Sequence, residues 1–250
     1  VAADYALEPP KPTLDAEVAY EASLSLNRKE PQDRRIAPWD VRRAAYWSVF
    51  AGACGHTYGH NSIWQMYAPG RKPILNPKSY WYEAIQAPSA AQMYILGKRI
   101  ASRPFLSRVP DQSLLACDPG EDVDHLQATR GDGYAMVYSP NGRSFKVHLD
   151  RLSGKTIRAS WFDPRASSSR LVEEFTKQGD REFDPPGEPT VGNDWVLLLD
   201  DANTSPAPGG ASEKRDSARQ SESGTSEPDA SVFGRNAVSA ADEGPDGRRV

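Results

Sequence analysis

Between positions 38 and 52 the apolar residues recur every three or four places. Val41, Ala44, Ala45, Ser48 and Val49 make a narrow stripe of small residues with Arg42 and Arg43 off it, the spacing of an amphipathic helix. Asp40 is placed to cap the first turn and Gly52 to end the pattern. From 53 to 58 the period is lost and there is little room for polar side chains, which predicts a strand buried on both faces. That strand delivers His56, Tyr58, His60, Asn61 and Trp64 at and beyond its C-terminal end. A helix feeding such a strand is the grammar of a (β/α) barrel wall, where chemistry gathers at the C-terminal mouth, although any α/β protein contains similar steps.

Upstream, a helix end is expected at 4–7, then the rigid Pro9-Pro10-Lys11-Pro12 and a short strand over 13–17. Glu17 and Glu21 follow the end of this strand, and Glu21, being farther out, has room to turn toward solvent. Carboxylates at a barrel mouth suit glycoside cleavage, which uses a pair of them across the scissile bond, whereas most Glu residues are solvated loop acids. Downstream, 66–79 is a loop rich in Pro and Gly, and Tyr80, Trp81, Tyr82 and Ile85 form an aromatic helical turn expected to pack as core. Ser89 and Gln92 read as a capping box for a helix whose stripe is Met93, Leu96 and Ile100 and which Pro104 stops.

From 111 the period changes to two. Strands are predicted at 126–130, 134–139, 145–149, 156–162, 171–175 and 195–199, separated by turn residues such as Gly131-Asp132-Gly133 and Pro140-Asn141-Gly142. Phe145, Val147 and Leu149 alternate with Lys146, His148 and Asp150, so one face meets a core and the other water. Short strands at this spacing predict an antiparallel sandwich of about ninety residues, a size that folds alone. Arg130-Gly131-Asp132 spells an adhesion tripeptide, yet it sits where a hairpin turn wants Gly and Asp. After 203 the hydrophobic residues disappear, with Phe233 the last aromatic, and a disordered tail is expected.

Composition narrows the function classes. The chain has 250 residues, 38% of them hydrophobic, and a net charge of −4 without a basic cluster, which argues against a nucleic-acid binder. No apolar run is long enough to cross a bilayer, and the first residues lack the charged and apolar regions of a signal peptide. Cys54 and Cys117 are too few for a disulfide framework or a zinc site, and Cys54 is expected to be a free thiol buried in its strand. Neither a metal nor a cofactor is predicted, since no Gly-rich loop stands between a strand and a helix.

Three long segments, KPTLDAEVAYE from Lys11, DVRRAAYWSVFAGACGHTYGHNSIWQMY from Asp40 and YWYEAIQAPSAAQMYILGKRIASRPF from Tyr80, together resemble the last part of the apiosidase-like glycoside hydrolases (glycoside hydrolase family 140 and relatives). Those enzymes end in a β-sandwich named for the collagen-binding domain of a collagenase. The resemblance runs from about residue 4 to about residue 202. It implies a (β/α)₈ barrel, of which only the strands near 12–17 and 53–58 precede the sandwich. The expected architecture is therefore α/β followed by all-β. A partial TIM-barrel remnant, the last two βα units, occupies 1–110, an antiparallel β-sandwich 111–202 and a disordered tail 203–250.

The resemblance further implies a carbohydrate substrate, a plant-type or other complex polysaccharide side chain, cleaved by a retaining two-carboxylate mechanism. Glu17 matches the nucleophile position with Glu21 as runner-up, and His56, Tyr58, His60, Asn61 and Trp64 match the substrate-binding end of the eighth strand. The acid/base residue has no counterpart, so the chain is expected to be a C-terminal fragment, inactive alone, that needs the N-terminal barrel half in cis. The full-length enzyme is expected to be secreted or periplasmic, with neither nucleic acid nor membrane as partner. The alternatives are a sandwich that binds carbohydrate or protein, and a sandwich that only clasps the barrel.

Overall fold

The computed structural model describes residues 1–25, 31 and 33–204. The expected tail lies outside these residues beyond Thr204. The first part of the chain carries α1 (Ala2–Tyr5), β1 (Leu14–Asp15), α2 (Pro38–Phe50), β2 (Gly55–His56), α3 (Asn61–Trp64), α4 (Trp81–Ala84) and α5 (Pro88–Ala101). Helix α2 begins with Pro at its first position, where a missing N–H costs nothing. Asp40 works from the third helical position, its Oδ2 accepting the Ala37 N–H at 2.9 Å. Gly52 follows the helix at φ +108°, and the Tyr5 ring fills the space that a Cβ there would need.

Strand β2 is shorter and more open than its sequence suggests. It pairs only with β1, in parallel and in the register Leu14↔Gly55, Asp15↔His56. Cys54 and Thr57 are exposed, and the thiol of Cys54, expected to be buried, is free and open to solvent. A strand is buried on both faces only when layers cover it on both, and no third strand joins this sheet among the described residues. Where two barrel units are expected, the described residues thus hold a two-stranded parallel sheet.

The remainder is mostly antiparallel sheet. Strands β3 (Val109–Pro110), β4 (Gln127–Gly131), β5 (Tyr134–Ser139), β7 (Thr156–Asp163), β8 (Ser168–Thr176) and β10 (Trp195–Asp201) form one sheet in the order β3-β4-β5-β10-β7-β8. Strands β6 (Phe145–His148) and β9 (Asp180–Phe183) form a second. The alternation expected at 145–150 holds, with Phe145, Val147 and Leu149 buried and Lys146 and Asp150 exposed. These residues meet Val137, Trp161, Leu197 and Leu199 of the large sheet in a core between the two sheets. The Arg130-Gly131-Asp132 segment turns the β4–β5 hairpin, and Arg130 Nε donates to Asp111 Oδ2 at 2.6 Å.

The large sheet is covered on its other face too. Tyr138, Phe162, Val196 and Leu198 pack there against Tyr46 and Phe50 of α2 and Leu96 of α5. Helix α5, expected to have little to cover, therefore roofs the sheet. Its Ser89–Gln92 capping box does not form: the helix starts at Pro88, Ala87 is the N-cap, and both side chains are buried. The aromatic turn at α4 is likewise not core, for Tyr82 and Ile85 are exposed while Ala84 turns inward.

Arg42, expected off the apolar stripe, is buried. Its Nε and Nη2 donate to Asp194 Oδ2 and Oδ1 at 2.9 and 2.5 Å, and its Nη1 donates to Gln92 Oε1 at 3.0 Å. The Tyr138 hydroxyl donates to Asp194 Oδ2 at 3.1 Å. Burial and the adjacent Asp194 carboxylate both push the Tyr138 hydroxyl well above its ordinary pKa, so it stays a donor. With every charge bonded, removing one partner strands the other in the interior, which costs about 3–5 kcal/mol. Arg42→Met is therefore expected to lower the unfolding free energy by about that amount, read from urea denaturation. Combined with Asp194→Asn it should cost far less than the sum of the single changes. A loss below about 1 kcal/mol, the scale of a surface pair, would show that this bond does not hold the helices to the sheet.

Candidate functional site

Backbone pairing continues past β1 and β2 into the loops that carry the expected site residues. The Glu21 N–H donates to the Gly59 carbonyl at 2.9 Å, and the Asn61 N–H donates to the Glu21 carbonyl at 2.9 Å. This extension is possible because Gly59 has no side chain: a Cβ there would lie 2.6 Å from the Tyr20 ring. Glu17 therefore projects from the β1 side and Trp64 from α3 into one cavity of about 640 Å³, lined also by Val18, Tyr20, Ile36 and Leu75. Both are exposed, Trp64 by 46%. A carboxylate and an open indole face thus share a largely apolar cleft, an arrangement able to hold a sugar face and present an oxygen nucleophile to it. Desolvation and the neighbouring Glu17 carboxylate both raise the Tyr20 hydroxyl above its ordinary pKa.

Glu21, expected to turn toward solvent, is the buried carboxylate of the two at 5% exposure. Its Oε2 accepts the Tyr58 hydroxyl at 2.7 Å. Burial, then this hydrogen bond, raises the Tyr58 pKa and keeps the phenol protonated. His60 is buried beside the same pair and caps α3, its Nδ1 accepting the Ser62 N–H at 3.0 Å. Asn61 is fully buried and donates from Nδ2 to the Leu75 carbonyl at 3.2 Å, so it ties the following loop.

His56 faces elsewhere. It lines a second cavity, of about 360 Å³, with Leu96, Ile100 and Phe105. Its Nδ1 lies 3.4 Å from Asp15 Oδ2, without a hydrogen bond, and the Ser48 hydroxyl donates to that same carboxylate. Desolvation lowers its pKa more than Asp15 raises it. The structure thus brings Glu17 and Trp64 together, gathers Glu21, Tyr58 and His60 behind them, and separates His56. Tyr20 is the contributor that the sequence reading missed; its place between two Glu residues and opposite a glycine was the available signal. Among the described residues no cluster of His, Cys, Asp and Glu suited to a metal ion is found.

The His60 geometry has a pH consequence. Accepting the Ser62 N–H requires an unprotonated Nδ1, and burial lowers its pKa from 6.5 despite the Glu21 charge. A folded-state pKa below the unfolded value stabilises the fold above the unfolded value, and that contribution is lost as pH falls through the folded one. Melting temperature should fall on acidification from about pH 7 to about pH 5, with His56 adding to the drop. His60→Asn, which keeps a capping acceptor, should reduce it. An identical profile for that variant would show that His60 does not stay neutral in the fold.

Two families match the chain. Residues 1–107 match the family described as "Apiosidase-like, catalytic domain", and residues 109–200 match "Putative collagen-binding domain of a collagenase". A solved structure titled "Glycoside hydrolase" is similar over 80% of this chain at 38% identity and a TM-score of 0.76. A glycoside hydrolase family 5 protein from Bacteroides vulgatus ATCC 8482 is similar over 80% at 37% identity and a TM-score of 0.76. The chain covers 44% of the length of each. None of the curated proteins matches it. Residues 1–107 are thus a glycoside hydrolase-like domain, followed by a sheet-rich domain similar to the collagen-binding family.

Proposed function

We propose that this chain is the C-terminal part of a retaining glycoside hydrolase of the apiosidase-like type, family 140 and relatives, acting on plant-type or other complex polysaccharide side chains. The carrying observation is the shared cavity of Glu17 and Trp64. In this reading β1 and β2 are the seventh and eighth strands of a (β/α)₈ barrel, supported by their parallel pairing and by the position of Glu17 and the Tyr58–Trp64 loop just past them. A Glu17 carboxylate oxygen attacks the anomeric carbon while the glycosidic oxygen leaves with a proton from an acid on an earlier strand. Water then releases the sugar from Glu17.

Retention needs the two carboxyl groups about 5 Å apart across the bond, and Glu17 is the one carboxylate among the described residues lining its cavity. The chain by itself is therefore inactive in this reading, and the N-terminal barrel half supplies the acid. Glu21 acts as a positioning residue, holding Tyr58 and flanking His60 from a buried site. The sandwich acts as a clasp, because its outer face packs on α2 and α5 and Tyr134, Tyr138, Phe145 and Trp161 are all buried.

In the enzyme carrying the whole barrel, Glu17→Ala should lower kcat by several orders of magnitude while leaving substrate affinity nearly unchanged. Azide, attacking the vacated anomeric face, should restore part of the turnover. Glu21→Gln should lower the melting temperature and change kcat far less. The purified chain should not hydrolyse aryl glycosides above background. Hydrolysis by the chain alone that Glu17→Gln abolishes would overturn the need for an acid in cis, and a dead Glu21→Gln beside an active Glu17→Ala would transfer the nucleophile to Glu21.

A further inference from the structure

Between α3 and α4 the chain spends residues 65–80 on a loop without helix or strand. Loops of this length in a compact domain are commonly functional. This one is tied down along its course. Gln65 exchanges two hydrogen bonds with the Ile74 backbone, at 2.8 and 2.9 Å. The Asn61 amide holds the Leu75 carbonyl, and the Trp81 N–H donates to the Tyr67 carbonyl at 2.8 Å. At the start of α4, Glu83 Oε2 accepts the Tyr80 N–H at 2.8 Å.

The secured loop presents a row of rings. Tyr67 and Tyr80 have centroids 5.4 Å apart and planes tilted by 35°, and Tyr80 and Tyr82 follow at 5.5 Å and 32°. Neither hydrophobic core contains any of them. Tyr82 is 44% exposed. Aromatic side chains normally bury most of their area in a core or an interface, so rings held by backbone bonds, outside both cores, call for another occupant. The row also has a direction: Tyr67 lies three residues beyond Trp64, whose indole lines the Glu17 cavity.

We propose that Tyr67, Tyr80 and Tyr82 form a stacking platform for the part of a glycan that extends beyond the Glu17–Trp64 cavity, an assignment that rests on the carbohydrate reading of that cavity. Each ring offers a flat apolar face with a hydroxyl at its rim, which suits a sugar ring with an apolar C–H face and a hydroxyl edge. The spacing of the rings is comparable with that of successive sugars in an extended chain. The gentle tilt between neighbours follows a glycan that turns along its length and disfavours a flat planar ligand spanning all three. The ligand class is accordingly an oligosaccharide of several residues, gripped by the cavity at one end and by the platform along its length.

The test is isothermal titration of the purified chain with matched disaccharides and hexasaccharides from cellulose, xylan and arabinan. In at least one series the hexasaccharide should bind more tightly than the disaccharide, by up to about tenfold per stacked ring. Tyr82→Ala should remove much of that advantage without changing disaccharide affinity, and Tyr82→Phe, which keeps the ring, should retain it. Trp64→Ala should weaken both lengths alike. Equal affinity for both lengths in every series, an undiminished advantage in Tyr82→Ala at an unchanged melting temperature, or no binding by the parent chain would each overturn the platform. Length-dependent binding alongside a fully active Glu17→Ala whole-barrel enzyme would overturn the hydrolytic reading and leave the platform standing. Hydrolysis without length dependence would do the reverse.

Discussion

Strand β10 is the part of the described chain on which the rest depends, because both of its faces are interior and both of its ends are charged. Trp195, Leu197 and Leu199 look into the core between the sheets, while Val196 and Leu198 look at the helices. On that second face stand two aspartates, Asp194 just before the strand and Asp200 near its end. Asp194 takes Arg42 of α2 in a bidentate pair, and Asp200 takes Arg103, just past α5, at 2.7 and 2.6 Å. A buried carboxylate without a partner is costly and a buried guanidinium equally so. The two pairs therefore allow the helices to meet the sheet in few registers. Apolar contact supplies most of the attraction, and the paired charges select the seating.

The seating of α2 is carried into the cleft. Its C-terminus leads through Gly52 and Ala53 to β2, so a shift of the helix on the sheet would move Tyr58, His60 and the loop beyond them. The close approach of the two short strands has its own requirement. The Tyr5, Leu14 and Tyr20 side chains occupy the space where Gly52, Gly55 and Gly59 lack a Cβ. Large side chains on the first strand's segment thus lie over glycines on the second's, and a sheet of two residues per strand is extended by the Glu21–Gly59 and Asn61–Glu21 backbone bonds. Arg108 adds a further tie, donating from Nη1 to the Val49 carbonyl at the end of α2 at 2.5 Å.

Much of this was legible in the chain, and the exceptions share a cause. Period-two stretches marked β5, β6, β7 and β10 within a residue or two, since alternation and flanking Gly, Pro and Asp report local geometry directly. Strand β9, four residues long with one buried position, carries no period to detect. Arg42 was misplaced because a helical stripe is judged by apolarity, and an arginine whose partner lies 152 positions away cannot be recognised from its own neighbourhood. The unbroken run Val196–Leu199 was the clue available, for a strand wet on one face would have alternated. At the site the Glu17 and Trp64 pairing was within reach of pattern reading. The inversion that leaves Glu17 open and Glu21 buried was not, because it depends on which backbone groups bridge Glu21 to Gly59 and Asn61.

Occupation of the sandwich's aromatics by its own packing decides where recognition can lie. Phe145, Trp161 and Trp195 meet one another edge to face between the sheets, and Tyr138 stacks on Tyr46 beneath α2. A ring buried in that way has no face left for a ligand, whatever its residue type suggests. The rings with free faces stand instead on the segment after β2, Trp64 in the cleft and Tyr82 outside it. The rigid sheet and its two helices therefore act through position alone, and contact with a ligand falls to a loop that the scaffold holds at the mouth of the cleft. This division follows from interior close packing: side chains that lock a scaffold are consumed by it, so specificity has to be carried by residues the core does not use.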